Sequence, residues 1–272
     1  MSTKDLLGNR MKSNYENRYR FSLTRKTPVI IRIDGKSFHT YTRGFNKPWD
    51  HLLINTMLDT ARYLCDEVMG CKLAYVQSDE ISLLLTDYDR LESEAWFDNN
   101  LQKICSVSAS IATMAFNMRF SERVALEAEN NPVKSEQILS SNFETIHKNH
   151  VDKIGKAIFD ARAFNIPESE VCNYFIWRQQ DAIRNSIEML GHYYFNQKEV
   201  HKKNCNEIIE MVIDQENIDW HNLSALLKYG GCVKRKPSDS KSLKWTIDTN
   251  IPIFTLDRNY VEDLLKAKDN EK

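Results

Sequence analysis

The sequence predicts an α+β chain built on a ferredoxin-like, split β-α-β sheet, with additional C-terminal helices and a hairpin. Three observations predict it. Apolar, β-branched runs near 29–33, 72–77, 80–85 and 157–164 alternate with helix-period stretches near 51–69 and 95–120, giving the order β-α-β-β-α-β. With 272 residues, 42% of them hydrophobic and 10% aromatic, the chain can bury one large core. Carboxylates stand directly against two of the runs, in Val29-Ile30-Ile31-Arg32-Ile33-Asp34-Gly35 and in Leu73-Ala74-Tyr75-Val76-Gln77-Ser78-Asp79-Glu80.

Taken in order, residues 4–20 mix Leu6, Leu7 and Met11 with Arg10, Arg18 and Arg20 and read as a short helix laid on the body. Thr27-Pro28 interrupts before the first strand. Asp50 is placed to cap a helix over 51–69 whose stripe is Leu52, Leu53, Met57, Ala61 and Leu64, and Gly70 closes it. The two middle strands flank a tight Ser78-Asp79 turn. The helix near 95–120 carries Leu101, Ile104, Val107, Ile111 and Met114. Residues 121–153, charged and Asn-rich, read as a surface excursion before the strand at 157–164. Beyond it lies the dense stretch Glu168 to Phe195, in which Arg178, Asp181 and Asn185 share one face, Ile176, Ile183, Ile187 and Leu190 supply an apolar face, and Gly191 permits a break. Helices near 200–213 and 219–229, then Gly230-Gly231, lead to a basic tail with Lys234-Arg235-Lys236 and Lys244-Trp245, and to an expected strand at Ile251 to Phe254. The whole is expected to form one catalytic domain, with a core over about 25–166 and a helical and basic elaboration over about 167–272.

Composition excludes several classes. The net charge of −1 offers no global basic field, so a nucleic acid would be met by a local patch. The six cysteines, Cys65, Cys71, Cys105, Cys172, Cys205 and Cys232, show no Cys-x-x-Cys spacing and read as small buried hydrophobes in a reducing compartment. No apolar run approaches a membrane span and the N-terminus shows no signal region, so a cytoplasmic protein is expected.

The topology adds chemistry to the two turns. Taken singly, Asp34-Gly35 and Ser78-Asp79 are what ordinary turns look like. In a split β-α-β sheet, however, strand 80–85 inserts between strands 29–33 and 72–77, which brings Asp34 beside Asp79 and Glu80 at one edge. Such a cluster suits Mg²⁺, a hard cation that keeps waters for a substrate's phosphates, and the Gly35 carbonyl could join it. The basic tail, with its interleaved tryptophan, is equally consistent with a grip on a nucleic-acid backbone and with a solvated hairpin.

Four stretches carry a resemblance. Arg32-Ile33-Asp34-Gly35-Lys36-Ser37-Phe38-His39, Gln77-Ser78-Asp79-Glu80, Phe159-Asp160-Ala161-Arg162 and Trp177-Arg178-Gln179-Gln180-Asp181-Ala182 resemble, with spacing kept, the signatures of the tRNA-His guanylyltransferase family. The likeness runs from about residue 5 to about 255. It implies a reverse polymerase that adds nucleotides 3′-to-5′ at the 5′ end of tRNA on a polymerase-palm core. Eukaryotic members that add the extra guanylate carry a His-Ile-Asn-Asn-Leu-Tyr-Asn-like stretch. Here Asp181 is followed by Ala182-Ile183-Arg184-Asn185-Ser186-Ile187, closer to the bacterial and archaeal like-protein branch, whose members resemble template-dependent repair enzymes for 5′-truncated tRNA.

The resemblance further implies Asp34, Asp79 and Glu80 as the catalytic carboxylates, with two Mg²⁺ ions on Asp34, the Gly35 carbonyl and Asp79 and Glu80 as an auxiliary ligand. It implies nucleoside triphosphate, ATP or GTP, against Asp34, Gly35, Lys36, Ser37, Phe38, His39, Lys47, Ser78, Asp79 and Lys103. Arg178 and Asn185 fit the tRNA-end or incoming-nucleotide side, with Lys234, Arg235 and Lys236 as further tRNA contacts. Family members resemble tetramers, so a homo-oligomer is expected. Two other readings share the core: a nucleotidyl cyclase-like palm enzyme acting on nucleotides alone, and a non-catalytic RNA-binding module. The second would need stacking aromatics on the sheet face, where these strands are aliphatic.

Overall fold

The computed structural model describes residues 6–130, 137–237 and 243–266. Helix α1 (Leu6–Asn14) and a single 3₁₀ turn (Glu16–Tyr19) precede strand β1 (Val29–Gly35). A one-turn α2 (Phe38–Tyr41) and α3 (His51–Glu67) lead to the hairpin β2 (Cys71–Gln77) and β3 (Glu80–Leu85). Then come α4 (Leu101–Asn130), α5 (Gln137–Lys153), β4 (Phe159–Asn165) and the long α6 (Glu168–Tyr194). The short α7 (Gln197–Val200), α8 (Cys205–Glu216) and α9 (Ala225–Tyr229) precede β5 (Gly231–Pro237), β6 (Leu243–Asp248) and a one-turn α10 (Asn259–Glu262).

The strand order is β4-β1-β3-β2-β5-β6, and every described pairing is antiparallel. The first four strands have the expected split β-α-β order, with β3 between β1 and β2. The C-terminal hairpin extends the same sheet by pairing β5 with β2. Alternation divides the core. Ile31, Ile33, Val76, Ile81 and Leu83 face α3 and α4, whereas Ile30, Leu73, Tyr75 and Leu84 face α6 and the C-terminal segment. β3 is buried along its whole length, which fits the aliphatic Ile81, Leu83, Leu84 and Leu85, while Ser82 between them shares a hydrogen bond with the Tyr174 hydroxyl at 2.8 Å. A third cluster joins the end of α6 to α8 and Trp220.

Five expectations change. Residues 121–130 continue α4 and 137–153 form α5, so this stretch is helical; His150 is buried there at 1% exposure. Residues 95–100 are not the start of that helix, because Phe97 and Asp98 adopt left-handed backbone angles. Ile251–Phe254 is no strand: Pro252 cannot donate to a ladder, and Gln179 serves the segment instead, giving its amide to the Pro252 carbonyl at 2.9 Å and accepting from Phe254 N at 2.7 Å. Gly191 does not break α6. It lets α8 approach, since a Cβ there would meet Ile208 at 2.7 Å. Finally, α1 is not laid on the body and buries no residue.

Candidate active site

Two strand ends and the β-hairpin tip build the site. Asp34 lies opposite Glu80 in the β1–β3 register and opposite Asp160 in the β1–β4 register. Gly35 N donates to the Asp79 carbonyl at 3.2 Å, which fixes the two acidic turns against each other. Gly35 is required for packing: a Cβ would fall 2.2 Å from the Phe38 ring. Phe38, 4% exposed, packs on Phe116 and Phe159 and is a core side chain. Ser78 takes a left-handed φ of 50° to turn the hairpin, and its hydroxyl donates to Asp79 Oδ1 at 3.0 Å.

Asp79 and Glu80 are neighbours with different surroundings. Burial raises the pKa of Asp79, the negative charge of Asp34 adds to this, and only the Ser78 hydroxyl and a backbone N–H oppose it. No Lys or Arg pairs with Asp79 among the described residues. Glu80 is 6% exposed and accepts from Arg178 Nε at 2.8 Å; Arg178 also reaches Asp181 at 2.9 Å. Burial still holds the Glu80 pKa above its ordinary value, although Arg178 and Arg32 pull it down.

A cavity of about 350 Å³ opens beside Asp79. Its lining includes the polar Asp79, Ser78 and His39 beside Phe38, and the apolar Leu53, Met57, Leu58, Leu226 and Leu227. Of the triphosphate candidates, Phe38, His39, Lys47, Ser78 and Asp79 line it, and so does Asn185. Lys36 and Ser37 are exposed beside the acidic pair, and the Lys36 N–H is already given to Ile158 O at 2.8 Å. Lys103 is not brought to the cavity. It sits near the start of α4, over the Phe97 ring at 5.6 Å, by the segment that precedes β1 and so at the other end of that strand.

The tRNA candidates separate as well. Arg178, 5% exposed, is engaged by Glu80 and Asp181 and stacks on Trp177, so it is no free surface cation. Arg235 and Lys236 are exposed; Lys234 is half-buried, 3.4 Å from Asp248 and over Tyr260. Because Gly231 pairs with Val76 and Lys234 with Leu73, this basic run leads away from the acidic edge.

Sequence reasoning missed three cavity groups. Lys228 is 9% exposed, donates to His221 O at 2.5 Å and lies over the Trp220 and Tyr229 rings. Trp49 carries a buried indole N–H without a hydrogen-bond partner among the described residues. Asp50, read only as a cap, does accept from Leu53 N at 2.9 Å, but its other oxygen is 2.8 Å from His150 Nε2. The signal for Lys228 was the Gly230-Gly231 pair, since a Cβ at Gly230 would lie 2.4 Å from Val76 O, marking close approach of this segment.

A ferredoxin-like sheet that sets two aspartates at neighbouring strand ends beside a cavity defines a palm-type nucleotidyltransferase. Comparison gives the particular family. The tRNAHis guanylyltransferase family model matches residues 8–167. A solved bacterial tRNA(His) guanylyltransferase-like protein in complex with ATP is 41% identical over 95% of this chain and 98% of that one, with a TM-score of 0.78. A GTP complex of a bacterial protein so described is 40% identical over 96% and 99%, with a TM-score of 0.71. An uncharacterised protein of Acanthamoeba polyphaga mimivirus is 27% identical over 96% of this chain and 88% of its own. The chain belongs to the tRNAHis guanylyltransferase family and is a nucleotidyltransferase.

Proposed function

We propose that this chain adds nucleotides 3′-to-5′ to the 5′ end of tRNA, with Asp34 and Asp79 as the catalytic carboxylates. The observation that carries the reading is their juxtaposition: Asp79, without a pairing lysine or arginine among the described residues, lines the cavity, and Asp34 adjoins it just outside, in a family whose solved relatives hold ATP and GTP.

The donor set fits a divalent cation. Both groups are hard oxygen donors, and burial and mutual repulsion hold Asp79 in a state that a cation would relieve. No group of three or more His, Cys, Asp or Glu side chains converges as a metal site among the described residues. Asp34, Asp79 and the Gly35 carbonyl would therefore share two Mg²⁺ ions with waters and substrate phosphates. Bound there, the ions supply charge neutralisation and a lowered pKa for an attacking hydroxyl.

The remaining work falls to the chain's own groups. Triphosphate lies between Lys47, the Lys36 ammonium and the Ser78 turn, while the base enters the wall of Leu53, Leu58 and Leu226. The tRNA 5′ end approaches Asp34 from the α6 face of the sheet. There Arg32 and Arg162 are cross-strand partners, Arg162 is 4.0 Å from Asp34, and the half-exposed Trp177 lies 5.9 Å from the Arg32 guanidinium. Arg178 holds Glu80 and so braces the start of β3. A 5′-monophosphate oxygen attacks the α-phosphorus of ATP and releases pyrophosphate. The 3′-hydroxyl of the incoming triphosphate then attacks the activated 5′ phosphate, loses its proton and releases AMP. A 5′-triphosphate end needs no activation. The sheet continues into β5 and α6 and α9 line the cavity, which supports a single catalytic domain. The free thiols suit a reducing cytoplasm, and the exposed Met114 and Met118 along α4 suit a homo-oligomer.

Incubation with Mg²⁺, ATP and GTP, using a tRNA-His lacking its extra guanylate and a tRNA missing its first paired nucleotide, tests this reading. Preferred extension of the truncated tRNA, with the added base following its pairing partner, is the expected result, because the Ala182–Ile187 stretch lacks the eukaryotic pattern. No extension of either, with triphosphate binding intact, would favour an enzyme acting on nucleotides alone.

A further inference from the structure

The N-terminal arm, residues 6–21, is unlike the rest of the surface. Helix α1 buries no residue, and at its end the arm is tied to the body, where Leu101 N donates to Phe21 O at 2.9 Å and Ser22 bridges Asn100. Along it Tyr15, Tyr19 and Phe21 are 62%, 68% and 62% exposed. Between and before these rings stand Arg10, Lys12, Arg18 and Arg20, against a single acidic residue, Glu16. None of the four cations forms an ion pair among the described residues, whereas the next cation, Arg25, is paired with Asp98. In a chain of net charge −1 this is a local concentration of positive charge.

Exposed rings interleaved with unpaired cations match one chemistry, unpaired RNA. Single-stranded bases offer free faces to aromatic rings while the phosphates meet the cations. A paired stem offers phosphates but no free base faces. A protein partner would be expected to need fewer like charges beside its apolar contacts.

We propose that the arm is an RNA-binding surface that takes the unpaired 3′-terminal nucleotides of a tRNA by stacking on Tyr15, Tyr19 and Phe21, with Arg10, Lys12, Arg18 and Arg20 on the phosphates. It rests on the tRNA reading above. The arm lies at the start of β1, at the far end of that strand from Asp34, so it holds the substrate and takes no part in the chemistry.

The test uses the full chain and two otherwise identical tRNAs, one with its single-stranded 3′ tail and one trimmed to a blunt end, with binding followed by fluorescence anisotropy across a salt series. Wild type should prefer the tailed tRNA. The triple variant Tyr15→Ala, Tyr19→Ala, Phe21→Ala should lose about tenfold or more for the tailed tRNA, as expected for lost stacking, and little for the blunt one. Replacing Arg10, Arg18 and Arg20 by Gln should lower the salt slope by about two. Since these side chains are exposed, melting temperature should not move. Equal loss for both tRNAs, or none, would overturn the proposal. So would a drop in light-scattering mass with RNA affinity unchanged, which would make the arm a contact between copies. Nucleotide addition by the same samples separates the two readings: if the variants extend bound tRNA at the wild-type kcat, the tRNA reading stands whatever becomes of the arm, and if wild type extends no tRNA, that reading fails first.

Discussion

Asp79 and Glu80 are adjacent in sequence, the first half-buried and the second buried, and both are raised in pKa by desolvation, yet the molecule treats them in opposite ways. Glu80 is tied to Arg178, and through it to Asp181, inside the protein. Asp79 has a hydroxyl for company and another carboxylate for a neighbour. A compensated buried charge belongs to the architecture. An uncompensated one, at the mouth of a cavity, is held ready for a charge that arrives from outside.

The largest expected effect tests uncompensated Asp79 and its neighbour Asp34. Asp34→Ala or Asp79→Asn should reduce nucleotide addition by about a thousandfold or more, beyond the ~10–100-fold of a group that only supports a ligand. Affinity for tRNA, measured by filter binding, should stay close to wild type. The compensated side should fail differently. Arg178→Met strands Glu80 and should cost about 3–5 kcal/mol of stability in urea unfolding, most of it recovered by adding Glu80→Gln. A single loss not recovered by the second change would show that Arg178 acts on something besides Glu80.

How far this was readable beforehand follows from the range of each interaction. Sheet order followed from the alternation of strand and helix patterns, and with it the meeting of Asp34 with Asp79. Those are properties of local runs combined with a connection rule. The environment of each carboxylate was not readable, because Arg178 is 98 positions from Glu80 and nothing in its own helix says which way it points. Lys103 shows the same limit in reverse: it resembles a family position in sequence but is not among the residues that line this chain's cavity. His150 was hidden because charged, Asn-rich composition suggested a surface excursion, whereas α5 packs on α4 and places His150 against Asp50.

His150 sharpens the comparison at intermediate size, since it too is a compensated charge. Burial works against the imidazolium, but the hydrogen bond and charge of Asp50, with Glu127 behind, outweigh it and raise the His150 pKa above 6.5. Burial likewise works against the Asp50 carboxylate, while His150 and the Leu53 N–H bring its pKa below 3.8. The His150 contribution is therefore complete below its unfolded value and is lost as pH rises through the higher folded one. The Asp50 contribution is complete above its unfolded value and is lost as pH falls through the lower folded one. Stability of wild type should decline above neutral pH in a way that His150→Gln does not, and the variant should be less stable by about 1–3 kcal/mol at pH 6.

A smaller effect separates the two lysines. Lys47→Ala should raise the KM for ATP about tenfold through loss of a charge-assisted contact, while Lys103→Ala leaves it within about twofold. The smallest is in stability. Without divalent cation, Asp79→Asn should raise the melting temperature by about 1–4 °C, because ionised Asp79 is desolvated and repelled by Asp34 in the folded state.

Titration of Mn²⁺, followed by the loss of its free electron-paramagnetic signal, tests the central claim most directly when carried out in parallel on wild type, Asp79→Asn and Glu80→Gln. The account predicts divalent binding that weakens at least tenfold in Asp79→Asn and stays near wild type in Glu80→Gln. Equal affinity in all three proteins, or loss confined to Glu80→Gln, would contradict the division of these neighbouring carboxylates into one that waits for a cation and one that already has its own.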